Sequence, residues 1–189
     1  MLCSSTHLPQ PEGFGKHMIF KGLLRKRETA GQRLYGAIVA AGRHPLLYAE
    51  WQVPDTLDGR FDMITLHLFL VLDRLKGGHD AFRQQLVDTF FDDMDRSLRE
   101  MGVGDVSVGK KVRKMAESFY GRVAAYDKAI TSGGHDLHDA LARNIFPDGA
   151  TASCVAKLSG HVLAIRESLA SQAEGDLAAG SVSFPEPRP

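Results

Sequence analysis

The 189-residue chain is 43% hydrophobic and 24% charged, the balance of a folded water-soluble domain, which excludes both a wholly disordered chain and one built mainly of membrane spans. Its 23 Lys and Arg offset 23 Asp and Glu, so no bulk charge draws it to nucleic acid or lipid, and any electrostatic partner must meet a local patch. Two cysteines, Cys3 and Cys154, cannot build a disulfide framework or a Cys-rich zinc site, so a reducing compartment is expected.

One domain with tails suits this length. Residues Met1 to His17 hold Pro, Ser, Gly and His without an apolar run and read as a flexible tail with no secretory signal. Met18 to Arg27 follows with Met18, Ile19, Phe20, Leu23 and Leu24 beside several cations, a pattern that can dock on the domain or lie on an anionic membrane surface. The domain is expected over residues 18 to 172. Its pattern is helical throughout, and β-branched residues never alternate over a convincing run, so an all-α, single-domain irregular helical bundle is expected. A first helix spans about Glu28 to Ala41, with Leu34, Ile38 and Ala41 on one face. A long Pro- and aromatic-rich loop, Arg43 to Gly59, carries Pro45, Tyr48, Trp51 and Pro54. Phe61, Ile64, Leu68, Val71, Leu72 and Leu75 then form one stripe while Met63, Leu66 and Leu70 cover other sides, which predicts a central helix buried almost all round. Asp80 to Met101 turns Val87, Phe91, Met94, Leu98 and Met101 inward and stops at Gly102. Ser107 is expected to cap a helix to about Ile130, and shorter helices over Leu137 to Ile145 and Thr151 to Ser171 complete the bundle. From Ala173 to Pro189 the chain is rich in Ala, Gly, Ser and Pro and reads as a disordered tail.

Few patterns point to catalysis. Asp88, Asp92 and Asp95 share a helix face, as carboxylates that hold magnesium and diphosphate do. Arg96 and Arg99 stand four residues on, and a self-paired solvated face accounts for the same residues. His135 and His138 lie one helical turn apart but at a loop-to-helix junction, where capping and surface roles are commoner than zinc. His67, inside the most apolar helix, is expected to be a buried histidine satisfied by a carbonyl or carboxylate, with haem ligation by His67 or His135 as the alternative. No nucleophile elbow or phosphate loop is present, Cys154 lies in an apolar helix start, and no cofactor is expected.

The basic run Lys110, Lys111, Arg113 and Lys114 falls in the first turns of a helix, where the macrodipole disfavours cations, so something must compensate it: the acidic stretch Asp88 to Asp95, an anionic partner or lipid headgroups. Gly121 inside the same helix costs about 1 kcal/mol relative to Ala and suggests close helix packing. In the turn before the core helix, Pro54 fixes the backbone, Asp55 or Asp58 is the expected cap, Gly59 supplies an unusual conformation and Arg60 starts the helix.

Taken in order, Arg43-His44-Pro45 with Tyr48, Val53 to Asp62, Leu66-His67, Phe91 to Asp95, Leu98 to Asp105 and Phe119-Tyr120-Gly121-Arg122 resemble the ubiquinol-cytochrome c chaperone family, over about Leu34 to Asn144. The motif residues include Pro54, Asp55, Asp58, Gly59, Arg60, His67, Asp95, Arg99 and Gly121. The resemblance implies a protein without catalysis that binds newly made cytochrome b, with a small partner protein and at the ribosome, before assembly of the respiratory bc1 complex. It implies a place in the cytoplasm against the inner membrane of a bacterium, or on the matrix side in a mitochondrion, and no nucleic-acid specificity. Client binding is expected where Tyr48 and Trp51 meet Lys110, Lys111, Arg113 and Lys114, an aromatic anchor with a charged rim. A magnesium-dependent diphosphate enzyme and a haem binder are the competing classes.

Overall fold

The computed structural model describes residues 28–132 and 136–188, which carry eight helices and no strand. Segments Met1 to His17 and Met18 to Arg27, and His135 of the histidine pair, lie outside the described residues. Helix α1 (Ala30–Gly42) starts in a capping box: the Thr29 hydroxyl accepts the Gln32 amide while the Gln32 side chain accepts the Thr29 amide. The region expected as one long loop contains a short helix, α2 (Pro45–Ala49), because Pro45 sits at its first turn and the His44 ring accepts the Leu46 amide.

Helix α3 (Leu57–Arg74) begins three residues before the expected Arg60, and its cap is Thr56 rather than Asp55 or Asp58: the Thr56 hydroxyl accepts the Gly59 amide at 3.1 Å. Asp55 instead pairs with Arg60 at 2.7 Å, and Asp58 stands in the first turn, where its charge suits the helix dipole. Gly59 is required by proximity, since a Cβ there would lie 2.0 Å from the Pro54 carbonyl oxygen. As expected, α3 is the core helix, and every residue from Phe61 to Leu72 is buried. Each large aliphatic or aromatic side chain so enclosed contributes about 2 kcal/mol of apolar transfer free energy.

Helix α4 (Asp80–Glu100) and helix α5 (Asp105–Thr131) form an antiparallel pair around the turn at Gly102, whose φ is +81°. Gly104 rather than Ser107 is the N-cap of α5. Helix α6 (Leu137–Ile145) and helix α7 (Ala152–Ser171), the latter capped by Thr151, complete the bundle. Helix α3 packs against α1, α5, α6 and α7, while α4 bridges α1 and α5. Gly121 does not serve close packing: it is exposed, and a Cβ there would meet nothing within 4 Å. Met101, expected inward, is 54% exposed.

The segment expected as a disordered tail is instead folded onto the domain. Helix α8 (Glu174–Ala178) buries Leu177, and Arg74 ties the chain down through Glu174 and through the Leu169 and Gln172 carbonyls at 2.9 and 3.0 Å. Gly180, at φ +87°, crosses the start of α1 so closely that a Cβ would lie 2.5 Å from the Ala30 carbonyl oxygen. The strap that follows is held by the Gln172 amide, which exchanges two 2.8 Å hydrogen bonds with Ser183. Phe184 then packs edge-on against His67, Glu186 pairs with His44 at 3.0 Å, and Pro187 is buried.

Candidate functional site: an apolar groove between α3 and α4

The first turn of α3, the last turns of α4 and the end of α1 diverge and leave a groove of about 460 Å³. Its apolar lining comes from Phe61 and Ile64 of α3 and Met94 of α4, with Leu57 and Met101 at the edges. Leu57 and Met101 are 45% and 54% exposed, two of four large hydrophobic side chains so exposed among the described residues. Arg43 and the Asp55–Arg60 pair stand on one side, Ser97 and Glu100 on the other. An apolar trough with a mixed polar rim, partly lined by adaptable methionines, can hold an apolar polypeptide segment and read its charged flanks.

Four of the sequence motifs, at Arg43, at Val53 to Asp62, at Phe91 to Asp95 and at Leu98 to Asp105, converge here from separate stretches of the chain. The aromatic residues expected to grip a client do not share the surface. Trp51 is 2% exposed and packs edge-on against His161 with ring centroids 5.4 Å apart, so it plugs the bundle where α2 meets α7. Tyr48 is half-buried, and its hydroxyl donates to the Gly42 carbonyl at 2.6 Å, which fixes the bend between α1 and α2. Tyr48 thus fixes the bend next to Arg43 at the groove's edge, while Trp51 lies toward α7 and outside the groove's lining. Sequence reasoning missed the groove because Phe61, Ile64 and Met94 follow ordinary core periodicity; the available signal was the placing of Leu57 and Met101 at helix ends, the first after the Pro54-Asp55 turn and the second before Gly102.

Lys110, Lys111, Arg113 and Lys114 are all exposed on α5 and form no ion pair among the described residues. The acidic stretch does not neutralise them. Asp95 is held by Arg99 at 2.5 Å, Arg99 also reaches Asp105, and Arg96 pairs with Asp93 rather than Asp92, at 2.6 Å. Asp92 has its carboxyl raised above the usual range by burial and by Asp88 and Asp95. No group of three His, Cys, Asp or Glu among the described residues is placed to hold a metal ion. His138 is exposed, 3.6 Å from Asp139.

Two buried polar sites stiffen the bundle behind the groove. Asp62 faces Arg122 at 2.8 Å, and the guanidinium carbon lies 5.7 Å from the Phe61 ring centre. Burial nevertheless raises the Asp62 carboxyl to about 6, because Arg122 only partly offsets the loss of water. His67 is fully enclosed, as expected. Its Nδ1 lies 2.8 Å from the Met63 carbonyl, which can only accept, so Nδ1 carries the proton and Nε2 is left without a partner. Burial lowers both His67 and His161 to about 4, holding them neutral. Cys154 is buried and receives the Thr151 hydroxyl at 3.1 Å.

An all-helical bundle with an apolar groove and arginines on its rim has the geometry of a polypeptide-binding module. The chain belongs to the ubiquinol-cytochrome c chaperone family, whose sequence model matches residues 49–184 and so includes α5, part of the strap and every groove-lining residue except Arg43. It is similar to ubiquinol-cytochrome-c reductase complex assembly factor 1 of Xenopus laevis, 28% identical over 123 residues, covering 64% of this chain and 62% of that protein. The Mus musculus factor is 29% identical over 124 residues, covering 64% of this chain and 42% of its own length. The chain thus spans less than two thirds of these relatives. Among solved structures, the Cbp3 homolog from Brucella abortus matches with a TM-score of 0.75 and 43% identity, over 83% of this chain and 89% of that one.

Proposed function

We propose that the protein is an assembly chaperone without catalytic activity that binds newly made cytochrome b during biogenesis of the bc1 complex, holding an apolar client segment in the groove between α3 and α4. The observation that carries this reading is the convergence of four separate family-like motifs on one apolar groove with two half-exposed hydrophobic side chains at its edges. Holding a membrane subunit before assembly calls for reversible burial of apolar surface, and the half-exposed Leu57 and Met101 supply it above a buried floor of Phe61, Ile64 and Met94. Arg43 and Arg60 meet acidic or carbonyl groups flanking the segment. Tyr48 acts from within by fixing the α1–α2 bend next to Arg43, and Trp51 by anchoring the chain after α2 to α7. A small partner protein and the ribosome belong to the same reading as further partners.

The test is co-purification of cytochrome b from membranes of a cell assembling the complex, with Leu57→Asp and Met101→Asp compared with the unaltered protein. Both positions are half-exposed, so melting should change little while cytochrome b recovery falls several-fold. Full recovery with both substitutions would place the client elsewhere.

A further inference from the structure

The start of α5 presents a surface that the client groove does not use. Counting from Val106, the residues four, seven and eight positions on are Lys110, Arg113 and Lys114, which places all four on the helix face opposite the buried Val108, Val112 and Phe119. Lys111 flanks them. These cations stand in the second and third turns of α5, past the first turn where the helix dipole acts most, and no carboxylate of the described residues pairs with them. Asp105, the nearest acid before them, is taken by Arg99, and Glu117 closes the patch one turn further along. At the tip, Val106 is 83% exposed, the most exposed large hydrophobic side chain among the described residues, and Met101 across the α4–α5 turn is 54% exposed.

We propose that this tip docks on a membrane surface rich in anionic phospholipid, with Lys110, Lys111, Arg113 and Lys114 meeting the headgroup phosphates while Val106 and Met101 enter the interface. Charge complementarity names the partner class: four unpaired cations clustered on a protein of zero net charge match an anionic surface, and headgroups supply one. The exposed aliphatic tip selects lipid over RNA. Single-stranded nucleic acid binding relies on aromatic platforms, whereas on this helix Phe119 is fully buried and Tyr120 is half-buried. Because Met101 also edges the groove, docking at this tip brings the groove's mouth to the bilayer surface. The docking surface stands apart from the client's identity and needs no client for its test.

Flotation of the full-length protein with phosphatidylcholine vesicles, with and without phosphatidylglycerol, reads this directly. The protein should float only with the anionic vesicles and be released by high salt. A Lys110→Glu/Arg113→Glu/Lys114→Glu chain should partition roughly a hundredfold more weakly, since each cation is worth about fivefold near such a surface. Val106→Ser should weaken binding less, and both variants should melt like the parent because the side chains are exposed. Equal flotation of the triple variant would overturn the proposal, as it would mean that Met18 to Arg27 or another segment carries the binding. Equal flotation with neutral vesicles would overturn it too, as would an RNA gel shift abolished by the triple variant in a protein that floats with neither vesicle.

Discussion

Buried ionisable groups give the protein two opposing responses to acid. His67, held near 4 in the fold against about 6.5 in an unfolded chain, stabilises the native state fully above 6.5, and that stability is lost as pH falls toward 4, on the order of 3 kcal/mol for a group so enclosed. Asp62, raised to about 6 against a usual 3.8, acts in the other direction: the folded state binds its proton more tightly, so acidification from 6 to 4 favours folding. Urea unfolding followed by the fluorescence of Trp51 between pH 4 and 7 should separate them. His67→Gln should flatten the loss of stability on acidification, and Asp62→Asn should steepen it. The slope is the readout, because each substitution also changes packing. Gly59 offers a second test at this scale: Gly59→Ala places a methyl 2.0 Å from the Pro54 oxygen and should cost about 3 kcal/mol, read as a lower urea midpoint.

At the scale of elements, the start of α3 depends on one hydroxyl. Thr56→Ala should cost about 1 kcal/mol, whereas Thr56→Ser should retain most of it, since only the acceptor oxygen is needed. The strap depends on side chains from elsewhere: Arg74 and Gln172 hold the backbone on either side of α8, and Phe184 covers His67. Phe184→Ala should speed amide exchange over residues 181–187 while leaving α3 protected. These two elements show what the sequence could convey. Helix α3 was legible because Met63 to Leu72 is apolar on every side, a property that no neighbour can change. The strap was not, because residues after Ala173 contribute few apolar groups beyond Leu177, Val182 and Phe184, and their order comes from hydrogen-bonding partners many residues earlier. The cap failed for a smaller reason: Thr56, Asp55 and Asp58 are all competent caps, and only the backbone path past Pro54 selects among them. The same applies to the expected client site: its four cations are exposed, while a loop position alone does not decide whether Trp51 anchors a client or plugs the bundle end, and its contact with His161 of α7 decides for the plug.

For the whole molecule, the fold sets a rigid core helix behind an apolar groove and brings the groove's open end to a basic, apolar-tipped turn. This arrangement suits a family of chaperones for ubiquinol-cytochrome c reductase, and the groove is where its client is proposed to sit. The most direct measurement is photocrosslinking from within the groove. A photoreactive amino acid at Met101 or Leu57, in cells making the bc1 complex, should capture cytochrome b while it is being synthesised, and the same probe at Lys157 on the exposed face of α7 should not. Capture of cytochrome b from Lys157 alone, with none from Met101 or Leu57, would contradict the account.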